Sequence, residues 1–466
     1  MLRLELSGRH AILKRARAAA AGLCGLLVAG PLSAQTRLQQ DALDNLQSRS
    51  NVVQGVGARA FGMGGAFIAR PDDATAASWN PAGLSYLRLP EFSAVGTHTS
   101  LEIRQVLGDF LTRNDKLTSS APDFLAATYP VSLGTVTGAV QLSFQRVISF
   151  DGARRIENYD AGHGTEPVRI RQYEQFGGFD VIAFGTGFQV KRGLRAGVAL
   201  NRWFNGYNYT AERQSQRPSQ QTTDFGFSGW NANVGLIYSP IEALNFGAVY
   251  KSGFTAEVDL NRSRIDAATA TQPATTNSYR RQTVSLDFPA ALGLGASWRP
   301  KTPLTVSADY TRTRWSQARI YQYFTLPATP PAPPLLPEDS FDSLLYPVLV
   351  PGLEQIDTQQ IRVGAEYVII KQRVKWPVRA GYFVDRQLFK AFDEVTGLRN
   401  QTPLFHGFTV GTGIIVGNVL LDVAYVYEKG TYREADPEAL PDDRQLFDNA
   451  VRSKRFLVSL IYRHKR

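Results

Sequence analysis

Cysteine is almost missing from this sequence. The 466 residues include one, Cys24, so no disulfide can form within the chain and no cysteine-built metal cluster is available. Histidine is scarce as well, with five in all, and no His, Asp or Glu group stands at the spacing of a metal site. "DEVTGLRN" (393–400) is too sparse for a calcium loop. No lysine or arginine block resembles a nucleic-acid arm, despite a net charge of +10. Also absent is any uninterrupted apolar run approaching the roughly 20 residues of a membrane-spanning helix. The run Ala18–Ala29 is short, follows Arg3, Arg9, Lys14, Arg15 and Arg17, and precedes Pro31-Leu32-Ser33-Ala34. That order predicts a secretory signal over residues 1–34, with Cys24 as filler in its apolar part. Its removal would leave 432 residues with a charge of +6.

What the chain does have is period two. In "LNFGAVY" Leu244, Phe246, Ala248 and Tyr250 share one face. Leu304, Val306, Ala308 and Tyr310 do so in "LTVSADY", and Leu421, Val423, Tyr425 and Tyr427 in "VLLDVAYVY". Such alternation predicts strands with one apolar and one polar face. "GLIYSPIEALNFGAVY" (235–250) and "GASWRPKTPLTVSADY" (295–310) align without a gap, each reading as a hairpin with a short Pro-containing turn. The links between hairpins, 210–229, 261–282 and 320–358, are long and polar. Short turns on one side and long loops on the other predict an antiparallel transmembrane β-barrel, with Tyr238, Trp298, Tyr250, Tyr310, Trp315 and Trp376 in interfacial girdles. A β-sandwich or propeller would not produce the one-sided turns. "FLVSLIYR" alternates as a closing strand should, although Arg463 to Arg466 follow its final Tyr462, where such strands usually end on an aromatic.

Ahead of the strands stands "GARAFGMGGAFIARPDDATAASWNPAGL" (57–84). Asn80-Pro81 reads as a helix start, and Asp72 or Asp73 as the cap of a turn over Ala74 to Ser78. Gly62, Gly64 and Gly65 permit sharp bends. This element is too small to own a core and must pack inside or against something larger. "GVGARA" (55–60) matches a dinucleotide fingerprint only formally, for it opens no βαβ unit.

The glycine-rich string resembles the N-terminal region of the FadL-type long-chain fatty acid and hydrophobic-compound outer-membrane transport family. "DFPAALGLGASWRPKTPLTVSADYTRTRWS" (287–316), "WPVRAGYFVDRQLF" (376–389) and "FTVGTGIIVGNVLLDVAYVY" (408–427) resemble the same family. The resemblance implies an all-β fold, a barrel of about 14 strands, with an N-terminal hatch inside the lumen. On this basis residues 35–95 are expected to form the hatch and 96–466 the barrel. It also implies passage of apolar molecules by a conformational change and a lateral opening, and maps the family's Asn-Pro-Ala element onto Asn80, Pro81 and Ala82. The hatch motif then comprises Gly62, Gly64, Gly65, Asp72, Asp73, Asn80, Pro81 and Ala82, which either fold the hatch or meet cargo.

Phe61, Phe67, Trp79 and Leu84 are candidate substrate contacts, or else packing residues. The apolar loop "PATPPAPPLLPEDSFDSLLYPVLVPGL" (327–353) adds Leu344, Leu345 and Leu349, placed either to collect an apolar molecule or to close the barrel mouth. The expected function is passive uptake of fatty acids or other hydrophobic compounds across the outer membrane of a Gram-negative-type cell. The expected partners are a fatty acid-like small molecule and outer-membrane lipids, with no cofactor, no metal, no nucleic acid and no catalytic residues. His98, His163, His406 and His464 lack the oriented third residue that nucleophilic catalysis requires. The rival from another class is a non-transporting barrel acting as scaffold or shuttle in a protein-secretion system.

Overall fold

The computed structural model describes residues 55–464 except 108–110, 160–166, 215–217, 272, 318–319, 324–346, 350–356, 372–373, 388–390, 393–398 and 436–445. Residues 1–34, where a signal is expected, residues 35–54 and most of the loop 327–353, including Leu344 and Leu345, lie outside the described residues.

The alternating segments form a closed antiparallel barrel of 14 strands. They are β1 (Glu91–Leu107), β2 (Leu111–Leu133), β3 (Val136–Ser149, continued by Gly152–Tyr159), β4 (Pro167–Lys191) and β5 (Leu194–Gln214). Next come β6 (Ser219–Ile241), β7 (Leu244–Lys251, continued by Phe254–Asp266), β8 (Thr275–Phe288, continued by Ala291–Lys301) and β9 (Leu304–Thr313, continued by Ile320–Tyr323). The circuit is completed by β10 (Thr358–Lys371, with Pro347–Leu349 ahead of it), β11 (Val374–Arg386), β12 (Leu404–Val416), β13 (Val419–Ala435) and β14 (Leu446–Arg463). β14 pairs with β1 from Glu91↔Arg463 to Val106↔Asp448 and closes the ring. The first barrel strand thus begins at Glu91, ahead of the boundary expected at residue 96.

The side-chain period of two divides each strand between two environments. Phe246, Tyr250, Val306, Tyr310, Leu421 and Tyr425 stand exposed on the outer face, as the alternation predicts. Thr305, Ser307, Asp309 and Asp422, their polar neighbours, are buried on the inner face. Tyr238, Trp298 and Trp376 are also exposed outward, each about half accessible. Trp315 is a correction. It lies between the two parts of β9 in a short 3₁₀ turn, is only 3% exposed, and packs on Phe288 with ring centroids 5.9 Å apart. It belongs to the interior and not to an aromatic girdle.

The ladder is regular near the short turns and irregular farther from them. β2 and β3 pair from Leu133↔Val136 to Phe124↔Gln145. Past that point the continuation of β3 pairs with β4. A bulge between Val95 and Gly96 opposite Phe124 leaves Asp123 and Phe124 both turned from the lipid side. Asn205 on β5 (φ 77°) and Gly177 on β4 (φ 114°) lie in the left-handed region at the same level, and β7 and β8 are interrupted at Ser252-Gly253 and Pro289-Ala290.

Candidate functional site

Residues 55–87 are not part of the sheet. They form a helical turn α1 (Ala58–Gly62), a second turn α2 (Ala76–Trp79) and a 3₁₀ helix over Pro81–Tyr86. Asn80 caps the last of these, its Oδ1 accepting from Ala82 N at 3.1 Å, with Pro81 at the first position. Asp73 does not cap α2 directly; its Oδ1 accepts from Thr75 N (2.9 Å) and Thr75 Oγ1 (2.6 Å), one step before that helix. Gly64 and Gly65, with φ of 68° and 76°, reverse the chain after α1, a conformation that side chains disfavour.

This segment lies against the inner faces of strands all round the barrel, and the strands are shaped to take it. A Cβ on Gly364 (β10) would collide with the Met63 carbonyl oxygen, and one on Gly381 (β11) with the Gly64 backbone. The same holds for Gly235 (β6) against Asn80 and for Gly187 and Gly197 (β4, β5) against Pro81. Polar side chains of the wall then take up the segment's backbone groups. Thr409 Oγ1 accepts from Gly64 N (2.9 Å) and donates to Gly62 O (3.1 Å), and Ser459 Oγ accepts from Ala58 N (2.7 Å). Asp309 Oδ2 accepts from both Phe67 N (2.6 Å) and Ile68 N (2.8 Å). Asn80 Nδ2 donates to Ile68 O (3.0 Å), Leu236 O (3.2 Å) and Ala248 O (3.3 Å), joining the segment to itself, to β6 and to β7. Ala82 is fully buried beside it.

A line of alternating charge fixes the other flank. Asp72 Oδ1 lies 2.5 Å from Arg59 Nη1, and Arg59 meets Glu366 through two bonds of 3.1 Å. Glu366 also accepts from Arg379 Nε (2.7 Å), and Arg379 Nη1 donates to Asp422 (2.7 Å). Burial works against the Arg59 charge, but Asp72, Glu366 and Asp73 outweigh it and hold its pKa well above the ordinary arginine value. Burial also opposes ionisation of Asp72, yet Arg59 and Arg70 keep its carboxyl below the usual aspartate range. Asp73 differs: burial dominates and its pKa is raised.

The four apolar candidates of the segment sit in packing positions. Trp79 makes edge contacts with Phe61 (5.9 Å) and Phe67 (6.0 Å), within a cluster that takes in Phe383, Val426 and Leu457 of the wall. Leu84 packs with Ala76, Ala77, Leu87 and Ala139. Leu349, from the long loop, pairs its backbone with Tyr321 at the far end of the barrel.

Sequence reading missed a second inner feature, a ladder of aromatic rings beyond the segment as counted from the short turns. Phe150 lies tilted on Tyr207 (4.2 Å) and edge-on to Phe179 (5.0 Å), and Tyr207 stacks on Phe225 (4.3 Å). Phe179 stacks on Phe227 (4.0 Å), Phe227 meets Phe288 (5.5 Å), and Phe288 reaches Phe254 (5.1 Å) and Trp315. Trp203 joins by Phe254 (5.2 Å) and donates through Nε1 to Asn231 (2.8 Å). These rings run across β3 to the end of β9. On the outer face, by contrast, His98 Nδ1 and Ser120 Oγ lie 2.7 Å apart, exposed.

The profile of a family described as BamG matches residues 54–325. Solved structures give the fold. The chain is 15% identical to the toluene transporter TbuX of Ralstonia pickettii, with 89% of this chain and 99% of that chain covered and a TM-score of 0.55. A FadL homologue of Pseudomonas aeruginosa is 12% identical over 88% and 99% of the two chains, at 0.58. The P. putida toluene transporter TodX is 13% identical over 89% and 100%, at 0.56. No curated protein matches the sequence.

Proposed function

This chain belongs to the BamG family, and we propose that it is an outer-membrane channel for hydrophobic small molecules, with residues 55–87 as its hatch. Fatty acids or other apolar compounds enter from the long-loop side, cross the aromatic ladder and meet the hatch. The observation that carries this reading is how the segment is held. It touches the inner face of most strands yet belongs to no sheet, and its attachments are side-chain hydrogen bonds, one ion-pair line and glycine contacts. Such attachments can be exchanged for others without breaking the barrel wall. The fold shared with proteins described as toluene transporters and as a FadL homologue supports the same reading. Where backbone pairing between β2 and β3 stops at Phe124 and Gln145, cargo has a sideways exit that bypasses the turn side.

The chemistry is reasonable. An apolar solute crosses a polar headgroup leaflet poorly, and a lumen with apolar rings gives it a dry path toward the bilayer core. The process is passive and needs no reaction at any residue.

The test is a binding titration of the purified barrel with a fluorescent long-chain fatty acid, beside a variant lacking residues 35–84. Saturable binding that disappears on deletion is the expected result. No saturable binding of this or any other apolar probe to a folded, heat-modifiable barrel would overturn the transport reading. Co-purification with large secreted proteins would then favour a scaffold.

A further inference from the structure

On the outer face the apolar band ends abruptly over the seam of the barrel. Along β13 it runs from Val419 to Tyr427. That is about 27 Å of strand at roughly 3.4 Å per residue, or about 21 Å of height at a tilt near 40°. On β14 it runs from Tyr462 to Phe456. The next outward residues are Lys429 on β13 and Lys454, then Arg452, on β14. These side chains stand at headgroup level on the long-loop side, beside lipid but beyond the hydrocarbon.

Strand register brings them together. Lys429 lies opposite Arg452, Arg452 opposite Glu102 of β1, and Glu102 opposite Lys116 of β2. Residues directly opposite have Cβ atoms about 5 Å apart, so the four form one row across four strands, about 14 Å wide. Lys454 flanks the row one step nearer the hydrocarbon, between Tyr427 and Ser100. Arg104 flanks it one step farther out, between Ala450 and Asn114. Lys429, Arg452, Lys116 and Arg104 are exposed, and Glu102 accepts from Lys454 Nζ at 2.9 Å. Five cations around one acid leave a surplus of four.

Like charges directly opposite one another destabilise a sheet, so an anion laid across Lys429 and Arg452 is favoured. The far side of the barrel is built the other way. Beyond the exposed Trp230 the outward residues are Asp224 on β6, Glu257 on β7 and Asp287 on β8. The surplus therefore belongs to the seam and not to the rim as a whole. A zwitterionic headgroup brings its own ammonium with each phosphate and cancels little of it. A headgroup with several phosphates and no amine cancels it, and the row is wider than one phosphate.

We propose that the outer wall over β13, β14, β1 and β2 binds a lipid carrying at least two phosphates, in the leaflet on the long-loop side. Its phosphates lie on Lys429, Arg452, Lys454 and Lys116, which offer charge-assisted hydrogen bonds to their oxygens. Its acyl chains run down the wall over Tyr425 and Phe456. Bound there, the lipid bridges the first and last strands. Such a surface depends on the barrel lying in a membrane and not on what crosses its lumen.

Equilibrium binding to the full barrel in a neutral detergent, counted by native mass spectrometry, tests this. The probes are bisphosphoryl lipid A, monophosphoryl lipid A with the same acyl chains, and inorganic pyrophosphate as competitor. The seam variant carries Lys116→Gln, Lys429→Gln and Arg452→Gln. A control carries Lys301→Gln, Lys371→Gln and Lys375→Gln, three exposed residues at the short-turn rim. Each cation beside an anionic lipid is worth about fivefold, so the seam variant is expected to bind bisphosphoryl lipid A about a hundredfold more weakly. The control is expected to bind as wild type does. In wild type, monophosphoryl lipid A is expected to bind more weakly than the bisphosphoryl form, and pyrophosphate to compete poorly.

Undiminished binding by the seam variant, or an equal loss in the control, would overturn the assignment to this patch. Equal affinity for the two forms of lipid A would overturn the requirement for two phosphates. Displacement by pyrophosphate at the lipid's own concentration would overturn the lipid in favour of a free phosphate compound. The comparisons among probes need only wild type, and Arg452→Gln alone replaces the seam variant if the triple substitution does not fold.

Discussion

Replacing Asp309 by alanine should release the 55–87 segment while sparing the barrel. One carboxylate oxygen, Oδ2, accepts two consecutive backbone N–H groups, those of Phe67 and Ile68. Truncation leaves both donors without their acceptor in a site where Phe67 is 1% exposed. Each abandoned donor costs about 1–3 kcal/mol, so the local loss is about 2–6 kcal/mol. At about 1.4 kcal/mol per tenfold, the lower end corresponds to roughly 30-fold in a local opening equilibrium. Amide hydrogen exchange in detergent reads that equilibrium residue by residue. Exchange at Phe67 and Ile68 should quicken by at least that factor, whereas amides in the neighbouring wall, such as Val249 and Tyr250, should not change. Asp309→Asn keeps an oxygen acceptor without the charge and should fall between, since charge-assisted bonds are about twice as strong as neutral ones. The reasoning fails if the alanine variant leaves those two amides protected, or if wall amides lose protection to the same degree.

Other expectations follow from the same contacts. Gly364→Val drives a side chain into the Met63 carbonyl and should expel the 63–64 turn, raising single-channel conductance while heat-modifiability is kept; a closed channel would refute it. Leu294→Lys, on the lipid face of β8, should cost about 2–4 kcal/mol in the urea stability of the barrel in vesicles. Acid should act on the 55–87 segment through two aspartates in opposite senses. Asp73, with a raised pKa, takes up a proton more readily folded than unfolded, so its protonation does not destabilise the segment. Asp72 is depressed, so its contribution is full above the ordinary aspartate value of 3.8 and is lost as pH falls below it. Pepsin should therefore cleave the 55–87 segment only well into that acid range, and Asp72→Asn should abolish the step.

The outer face of this protein was legible because lipid imposes a single demand, and alternation records it. Phe246, Val306 and Leu421 declare the strands, and the paired hairpins at 235–250 and 295–310 declare the short-turn side. Asn80-Pro81 announced its cap correctly, although the helix it starts is 3₁₀. The inner face answered to partners distant in sequence, and no local pattern records those. Asp309 reads as one more polar residue until Phe67 and Ile68 are set against it, and Gly364 as one more small residue until Met63 is. The aromatic ladder was hidden for another reason. Bulges and breaks near Gly177, Asn205, Ser252-Gly253 and Pro289-Ala290 interrupt the parity from which a face is inferred. Trp315 looked like a girdle residue because the chain leaves its strand just before it.

The seam between β1 and β14 carries a consequence for biogenesis. Those strands are the first and last of the barrel, so the ring cannot shut until nearly the whole chain is available. Residues 55–87 precede every strand in the chain, yet Ala58 must find Ser459, 401 positions later, and Asn80 must find strands in the opposite half of the circuit. Contacts of such separation are slow to form. A cylinder that zipped itself up first would leave its own leader stranded outside. The order of events is thereby constrained: residues 55–87 have to be enclosed before the last hairpin pairs with β1 and shuts the ring.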